Sequence, residues 1–154
     1  MLKINDEIPN FEILTDRDNF KVSNYQGKNI VVFFFPRADT SGCTAESIAF
    51  TNLQKEFDKL NCIVIGISKD NSKKQGKFRE KYNLKCELGA DFENNVCEQF
   101  GVWVEKTMYG KKYMGIQRST FLSNEQGLIT NIWEKVKVPG HAEEVLETVK
   151  NLNT

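Results

Sequence analysis

The strongest structural signal in the sequence is the run Asn29-Ile30-Val31-Val32-Phe33-Phe34-Phe35. Aromatic and β-branched residues favour strands, and a run without polar alternation indicates a strand that is buried on both faces. Pro36 follows at once and ends the strand, because proline has no N–H group for the next hydrogen bond of a sheet. The run therefore predicts a central strand over residues 29–35.

A helix and a second buried strand follow this first strand. Apolar residues recur at helical spacing between Thr44 and Leu60, which predicts an amphipathic helix. The apolar run Cys62–Ser68 then predicts another strand buried on both faces. A strand–helix–strand unit of this size implies two parallel strands joined by a right-handed crossover.

Shorter patterns complete the predicted order of elements. They predict a hairpin at residues 11–14 and 20–22, a short edge strand at 85–88, helices at 73–82 and 94–100, a second hairpin at 119–122 and 128–133, and a last helix at 142–152. This order predicts one domain over residues 1–154, an α/β protein built as a three-layer α/β/α sandwich on a mixed central sheet. The thioredoxin-like fold has this arrangement.

Composition and charge argue against several classes of protein. Among 154 residues, Lys+Arg and Asp+Glu are both 21, so the formal net charge is +0. Nucleic acid is therefore not expected as a partner, because phosphate binding needs an excess or a stripe of basic residues. No apolar run approaches the roughly 18–20 residues of a membrane-spanning helix. The first residues lack the apolar segment of a secretory signal, so we expect a cytoplasmic protein without a membrane partner.

The four cysteines are Cys43, Cys62, Cys86 and Cys97, and no two of them form a Cys-x-x-Cys pair. This spacing argues against a thioredoxin-type dithiol. His141 is the only histidine, so a Cys/His metal site is not expected, and we expect neither metal nor cofactor. In a reducing compartment such thiols are more often free than paired.

Cys43 has the sequence surroundings of a reactive thiol. It lies just beyond the carboxyl end of the first buried strand and at the start of a helix, where unpaired N–H groups and the helix dipole favour an anion such as a thiolate. Thr40 can place a hydroxyl group beside the sulfur, and Gly42 allows close approach of the backbone. The alternative is that Cys43 is only a small residue in a helical turn. For the other three cysteines we expect buried packing.

Several motifs together resemble one enzyme family. Pro36, Thr40 and Cys43 match the Pro-x-x-x-Thr-x-x-Cys signature of peroxiredoxins, and residues 35–46 look like the bacterioferritin comigratory protein branch, also called peroxiredoxin Q. Further similarities to this branch follow in order along the chain, at residues 66–68, 100–103, 106–111 and 115–122. The resemblance covers nearly the whole chain. It implies a thioredoxin-fold peroxidase that reduces hydrogen peroxide and organic hydroperoxides with thiols.

The resemblance also implies roles for the residues around Cys43. The Cys43 thiolate would attack a peroxide oxygen and become a sulfenic acid, with release of water or an alcohol. Thr40 would form hydrogen bonds with the peroxide and the sulfur, and Pro36 would shield the sulfur from water. The backbone N–H groups of Gly42 and Cys43 would bind the negative charge that develops on the substrate.

Two charged residues complete the site that the resemblance implies. Arg118 would reach over from a neighbouring strand, stabilise the thiolate and polarise the leaving oxygen. Without the resemblance, Arg118 would be interpreted as a solvated charge on a strand. Glu46, one turn into the helix, would orient the arginine or simply suit the helix N-terminus.

The chain departs from this branch at positions that affect the catalytic cycle. Ser41 stands in place of a proline, which frees one backbone N–H group. Ile48 stands where many members carry the resolving cysteine, and residues 78–80, where other members carry it, contain none. The simplest interpretation is one-cysteine chemistry, in which thioredoxin, glutaredoxin or glutathione reduces the sulfenic acid. Cys86 and Cys97 remain as unconventional resolving candidates.

The sequence leaves other functions open. A redox sensor or chaperone-like protein would use oxidation of Cys43 as a switch with little turnover, although the intact peroxide-binding set argues against this function. A thiol–disulfide reductase of the same fold is disfavoured by the absence of Cys-x-x-Cys. Members of the resembling branch are often monomers, so we expect a monomer.

Overall fold

The computed structural model describes residues 2–152. Its strands are β1 (Glu12–Leu14), β2 (Asn19–Lys21), β3 (Asn29–Phe34), β4 (Cys62–Ser68), β5 (Glu87–Ala90), β6 (Trp103–Met108), β7 (Lys111–Ile116), β8 (Ser119–Ser123) and β9 (Ile129–Trp133). Its helices are α1 (Ser41–Asn52), α2 (Gln54–Lys59), α3 (Ser72–Tyr82), α4 (Val96–Gln99) and α5 (His141–Leu152), with a short 3₁₀ helix at Val22–Tyr25.

A mixed sheet of five strands, in the order β5-β4-β3-β8-β9, forms the centre of the fold. β3 is parallel to β4 and β4 is parallel to β5, whereas β8 is antiparallel to both β3 and β9. All six residues of β3 are buried. The predicted central strand, the parallel crossover and the mixed sheet are therefore confirmed, and β5 is an edge strand as predicted.

Alternate side chains of β3 divide the apolar core into two clusters, one on each face of the sheet. Val31 and Phe33 belong to the cluster under α1, α2, α3 and α5, which we call the helical core. Val32 and Phe34 belong to the cluster under the β1–β2 hairpin and α4, which we call the hairpin core. The outer layer on the hairpin side thus contains more strand and loop than the predicted α/β/α sandwich implies. Within residues 2–152, no helix combines the length and apolar character needed to span a membrane.

The helix predicted at residues 44–60 is two helices in the structure. α1 begins earlier than predicted, at Ser41, and Leu53 separates it from α2. The N–H of Leu53 donates to the carbonyl of Phe50, three residues back, at 3.1 Å, which tightens the last turn of α1. Neither proline nor glycine marks this position, so the apolar periodicity predicted one continuous helix.

The β6–β7 hairpin was not predicted. Its turn is formed by Tyr109 and Gly110, whose φ angles are 52° and 77°. Both residues therefore have the left-handed conformation of a tight hairpin turn, which is usually marked by Asn-Gly or Asp-Gly. The hairpin ends at Ile116 and delivers the chain to Arg118 just before β8.

Candidate active site

Cys43 is the third residue of α1 and lies beyond the carboxyl end of β3. Thr40 is the N-cap, with an extended backbone (φ −89°, ψ 158°). The first N–H groups of α1 therefore have no partner within the helix and favour negative charge close to the sulfur. The Cys43 side chain is only 1% exposed and packs into the helical core.

Arg118 connects the strand layer to the first turns of α1. Its Nη2 donates to Cys43 Sγ at 3.3 Å, and its Nη1 donates to Glu46 Oε1 at 2.7 Å. Burial lowers the pKa of Arg118, but Glu46 and Cys43 outweigh that effect, and the pKa is raised above its usual value. The guanidinium therefore stays cationic while it contacts the sulfur.

Glu46 holds the other side of this guanidinium. Its side chain is 1% exposed, and burial raises its pKa to about 7, although the charge and hydrogen bond of Arg118 act in the opposite direction. Within residues 2–152, its second oxygen, Oε2, has no hydrogen-bond partner. The carboxylate contacts Arg118 directly, which is the geometry expected if Glu46 orients the arginine.

Gly42 lies against the same guanidinium. A Cβ atom at this position would lie 3.2 Å from Arg118 Nη2, closer than ordinary van der Waals contact. The missing side chain therefore leaves room for the bond between Arg118 and Cys43. This space is a further reason for glycine here, besides the backbone donor role that the sequence suggests.

Thr40 and Pro36 lie on the exposed side of the site. The Thr40 hydroxyl donates to the carbonyl of Arg37 at 2.9 Å, and no hydrogen bond joins it to the Cys43 sulfur within the described part of the chain. The expected bond to the sulfur is therefore not formed, because the hydroxyl proton is already used. The oxygen of that hydroxyl can still accept a hydrogen bond from the O–H of a peroxide. Pro36 is exposed two residues after the end of β3, and its shielding role remains a prediction.

The loop of residues 35–40, which we call the active-site loop, has partners that sequence reasoning missed. The N–H of Ala38 donates to Asp70 Oδ2 at 2.7 Å. Asp39 has a left-handed backbone (φ 64°), and its carboxylate accepts from Tyr82 Oη at 2.6 Å and from Lys81 Nζ at 3.0 Å. These hydrogen bonds hold the pKa of Asp39 below its usual value. The two partners lie about 40 positions away in the sequence, so no local pattern indicates the contact.

Lys106 places a second cation near the site. Its Nζ donates to the carbonyl of Ile116, two residues before Arg118. Burial lowers the pKa of Lys106, and the positive charge of Arg118 lowers it further, whereas Cys43 acts in the opposite direction. The residue belongs to a stretch that supports the family resemblance, but no pattern in the sequence indicates a role for it.

The other three cysteines are buried free thiols, as predicted. Burial raises the pKa of Cys62 to about 12 and that of Cys86 to about 12. Burial also raises the pKa of Cys97, and the neighbouring Asp91 carboxylate adds to this effect. All three therefore disfavour the thiolate form that attacks a sulfenic acid.

Neither resolving candidate lies beside Cys43. Cys86 follows Lys85, whose N–H donates to Thr51 Oγ1 at 3.1 Å, near the far end of α1. Cys43 is in the first turn of the same helix, and the eight-residue step from Cys43 to Thr51 corresponds to about 12 Å of helix, more than the roughly 7 Å that a disulfide tolerates between Cα atoms. Cys97 belongs to the hairpin core, across the central sheet from Cys43.

Comparison with known proteins gives one consistent result. The sequence matches the AhpC/TSA family over residues 4–132. It is 41% identical over 153 residues to peroxiredoxin Bcp of Bacillus subtilis, a match covering 99% of this chain and 98% of the relative. It is 38% identical over 151 residues to peroxiredoxin Bcp of Escherichia coli K12, covering 97% of this chain and 96% of the relative.

Solved structures agree with the sequence matches. The bacterioferritin comigratory protein of Xanthomonas campestris superimposes with a TM-score of 0.91 and 33% identity, covering 100% of this chain and 99% of that one. A cysteine mutant of Xylella fastidiosa peroxiredoxin Q gives a TM-score of 0.94 and 33% identity, with the same coverage. The predicted thioredoxin-like peroxiredoxin fold is thus confirmed. The chain belongs to the AhpC/TSA family, and within it to the Bcp or Q branch of the peroxiredoxins.

Proposed function

We propose that this thiol peroxidase reduces hydrogen peroxide and organic hydroperoxides at Cys43, and that an external thiol, not a second cysteine of the chain, reduces the resulting sulfenic acid. The observation that carries the proposal is the Arg118 guanidinium, which contacts Cys43 Sγ at 3.3 Å while Glu46 holds it from the other side. A buried sulfur with a fixed cation and a helix N-terminus beside it suits an activated thiolate.

The first half of the cycle follows from these groups. The Cys43 thiolate attacks the terminal oxygen of the peroxide, an S–O bond forms, and the O–O bond breaks. The leaving oxygen departs as hydroxide or alkoxide and takes up a proton from solvent water to become water or an alcohol. Arg118 and the first N–H groups of α1 stabilise the charge that moves to this oxygen. The Thr40 oxygen can accept a hydrogen bond from the O–H of the attacked oxygen, whose proton stays on the sulfenic acid, and so orient the substrate.

The second half of the cycle needs two external thiol groups. The first attacks the sulfenic sulfur, forms a mixed disulfide and releases water; the second attacks that disulfide and regenerates the Cys43 thiolate. The positions of Cys86 and Cys97 support this route, because neither can reach Cys43 without backbone movement. A yeast mitochondrial 1-Cys peroxiredoxin resolved through glutathione and thioredoxin systems is a structural relative, with a TM-score of 0.82 and 26% identity, covering 99% of this chain and 77% of that one.

The test of resolution is intact-mass and peptide analysis after one equivalent of peroxide, with a sulfenic acid trap present. We expect one trapped adduct on Cys43. A loss of two mass units without an adduct, with Cys43 linked to Cys86 or Cys97, would overturn the one-cysteine route. Steady-state peroxide consumption with reduced thioredoxin or glutaredoxin separates an enzyme from a redox switch that turns over only once.

Replacement of the sulfur tests the assignment of Cys43. Cys43→Ser keeps the shape of the side chain, but its hydroxyl is not ionised near neutral pH, so we expect peroxide consumption to fall to background. Changes of Cys62, Cys86 or Cys97 to serine are the matched controls and should leave the first peroxide reaction nearly intact. Substantial peroxidase activity in Cys43→Ser would falsify the assignment.

We propose further that the enzyme acts as a monomer in a reducing compartment such as the cytoplasm. Four free cysteines support the reducing compartment, and the residues assembled around Cys43 all come from one chain. Light scattering after size-exclusion chromatography should give a mass near 17.7 kDa. A mass near twice that value at working concentration would contradict the monomer.

A further inference from the structure

The sulfur of Cys43 is inaccessible to a large reductant in this structure. The side chain is 1% exposed and lies in the helical core, against which Ala38 of the active-site loop also packs. A small peroxide can enter such a site, but a protein thiol must approach in line with the S–O bond that it displaces. The first turn of α1 therefore has to open during the second half of the cycle, and the contacts that resist this opening become relevant to turnover.

One such contact joins the active-site loop to the C-terminal end of α3. Asp39 Oδ1 accepts from Tyr82 Oη at 2.6 Å, and Asp39 Oδ2 accepts from Lys81 Nζ at 3.0 Å. The Lys81 ammonium group also lies 5.3 Å from the centroid of the Tyr82 ring. Three groups thus meet one position before the N-cap of α1.

The α3 side of this contact is firmly held. Phe78 is 1% exposed in the helical core, its ring lies 5.9 Å from that of Phe35, and it meets the Tyr82 ring edge to face at 5.7 Å. The loop side is held less firmly, because Asp39 itself is exposed and has a left-handed backbone that few residues other than glycine adopt readily. When the contact breaks, the loop keeps the bond from the Ala38 N–H to Asp70 Oδ2 but loses its contact with α3.

We propose that Asp39, Lys81 and Tyr82 form a latch that sets how readily the first turn of α1 opens, and therefore how fast a protein thiol reaches oxidised Cys43. Asp39 and Tyr82 are positioning residues that act through the loop and do not touch the reacting atoms. The proposal rests on the proposed function, since it concerns the external reduction of Cys43.

A released latch changes two competing reactions in opposite directions. The closed arrangement holds Arg118 against the sulfur and activates peroxide, so a second peroxide oxidises the sulfenic acid further to sulfinic acid in the closed form. The open form admits the thiol and returns the enzyme to the reduced state. Weakening the latch should accelerate thiol reduction and lower the fraction of sulfinic acid formed per turnover.

Asp39→Asn and Tyr82→Phe are the informative variants. Asparagine adopts the left-handed backbone at least as readily as aspartate and removes only the charge, while phenylalanine keeps the ring that packs on Phe78. Loss of a hydrogen bond at an exposed charged group shifts an opening equilibrium by about three- to tenfold. We expect reduction of oxidised Cys43 by thioredoxin to accelerate by that factor, with the peroxide rate constant changed less than twofold.

Asp58→Asn is the matched control. Its carboxylate is exposed on α2 and accepts one hydrogen bond, from Gln54 Nε2 at 2.9 Å, away from the active-site loop. This control should leave both rate constants unchanged. The double variant of Asp39→Asn and Tyr82→Phe should be faster than either single variant but by less than the product of the two factors, because both changes weaken the same contact.

A second readout does not depend on any reductant. A bulky maleimide should alkylate reduced Cys43 faster in both latch variants than in the wild type, while small iodoacetamide shows a smaller change. The latch would be contradicted, and the proposed function kept, if the variants still consumed peroxide but their rates of alkylation by maleimide and of reduction by thioredoxin were unchanged. If the wild type itself did not consume peroxide through Cys43, the proposed function would be wrong.

Discussion

Arg118 is the residue on which the peroxide step depends most, because it contacts Cys43 and Glu46 at once. Arg118→Met removes the charge, and we expect the peroxide rate constant to fall by about 100-fold, the usual effect of losing one such donor. Arg118→Lys should recover only part of this loss, since a point charge cannot replace a planar fork that serves two partners. Stopped-flow mixing with peroxide measures both constants; equal rates in the wild type and in Arg118→Met would exclude the residue from the site.

Glu46 makes the stability of the fold depend on pH. Because its pKa is raised to about 7 from 4.5, the folded chain binds this proton more tightly than the unfolded chain does. The stabilising contribution is complete below pH 4.5 and is lost as the pH rises through about 7. As the pH rises between these limits, the free energy of unfolding of the wild type, measured by denaturant titration, should fall relative to that of Glu46→Gln. A constant difference between the two proteins across that interval would contradict the raised pKa.

Residue by residue, the resemblance located Cys43, Arg118 and Glu46, and the structure brings these three side chains into contact. It could not locate the bond between Asp39 and Tyr82. That contact depends on a left-handed backbone at an aspartate and on the packing of a helix distant in sequence. Neither property leaves a periodic or spaced pattern in the amino-acid sequence.

At the scale of elements, the buried strands were predictable and the exposed hairpin was not. β3 and β4 appear as apolar runs because burial on both faces demands apolar residues throughout. β6 and β7 are mostly exposed or half-buried, so their side chains show no strict alternation. The division of the predicted long helix at Leu53 likewise has no marker residue.

The β6–β7 hairpin contributes to the site through Lys106. Lys106→Met keeps the apolar stem but removes both the charge beside Arg118 and the bond from Nζ to Ile116. The segment that carries Arg118 should then be held less firmly, and we expect the peroxide rate constant to fall by about three- to tenfold, as for one lost hydrogen bond to a charged group. Lys112→Met is the control on the same hairpin, since that side chain is 74% exposed. A fall of similar size in both variants would show that the effect is not specific to Lys106.

At the scale of the whole molecule, stability depends on close contact between the neighbouring strands β3 and β4 of the central sheet. A Cβ atom on Gly66 of β4 would lie 2.5 Å from the ring of Phe33, which is completely buried. Gly66→Ala should therefore lower the free energy of unfolding by about 1–3 kcal/mol, the usual effect of overpacking a core.

Gly76→Ala is the matched control for this change. Gly76 lies in α3, and its added Cβ would be 3.7 Å from Asp16, an ordinary contact. Alanine is the better helix former by about 1 kcal/mol, so this variant should be more stable than the wild type. Denaturant unfolding of both variants gives the comparison, and a stabilised Gly66→Ala would show that the packing at Phe33 is looser than the structure indicates.

The placement of the four cysteines makes the number of thiols that a reagent can label depend on whether the chain is folded. Three of them are buried thiols whose raised pKa values keep them unreactive, and Cys43 is covered until the first turn of α1 opens. A brief pulse of a small alkylating reagent should therefore add at most one label to a folded molecule and four to an unfolded one. The mass spectrum after such a pulse would separate the two populations into distinct peaks. The ratio of the peaks would give the unfolded fraction in a mixture, without a fluorophore or a purified standard.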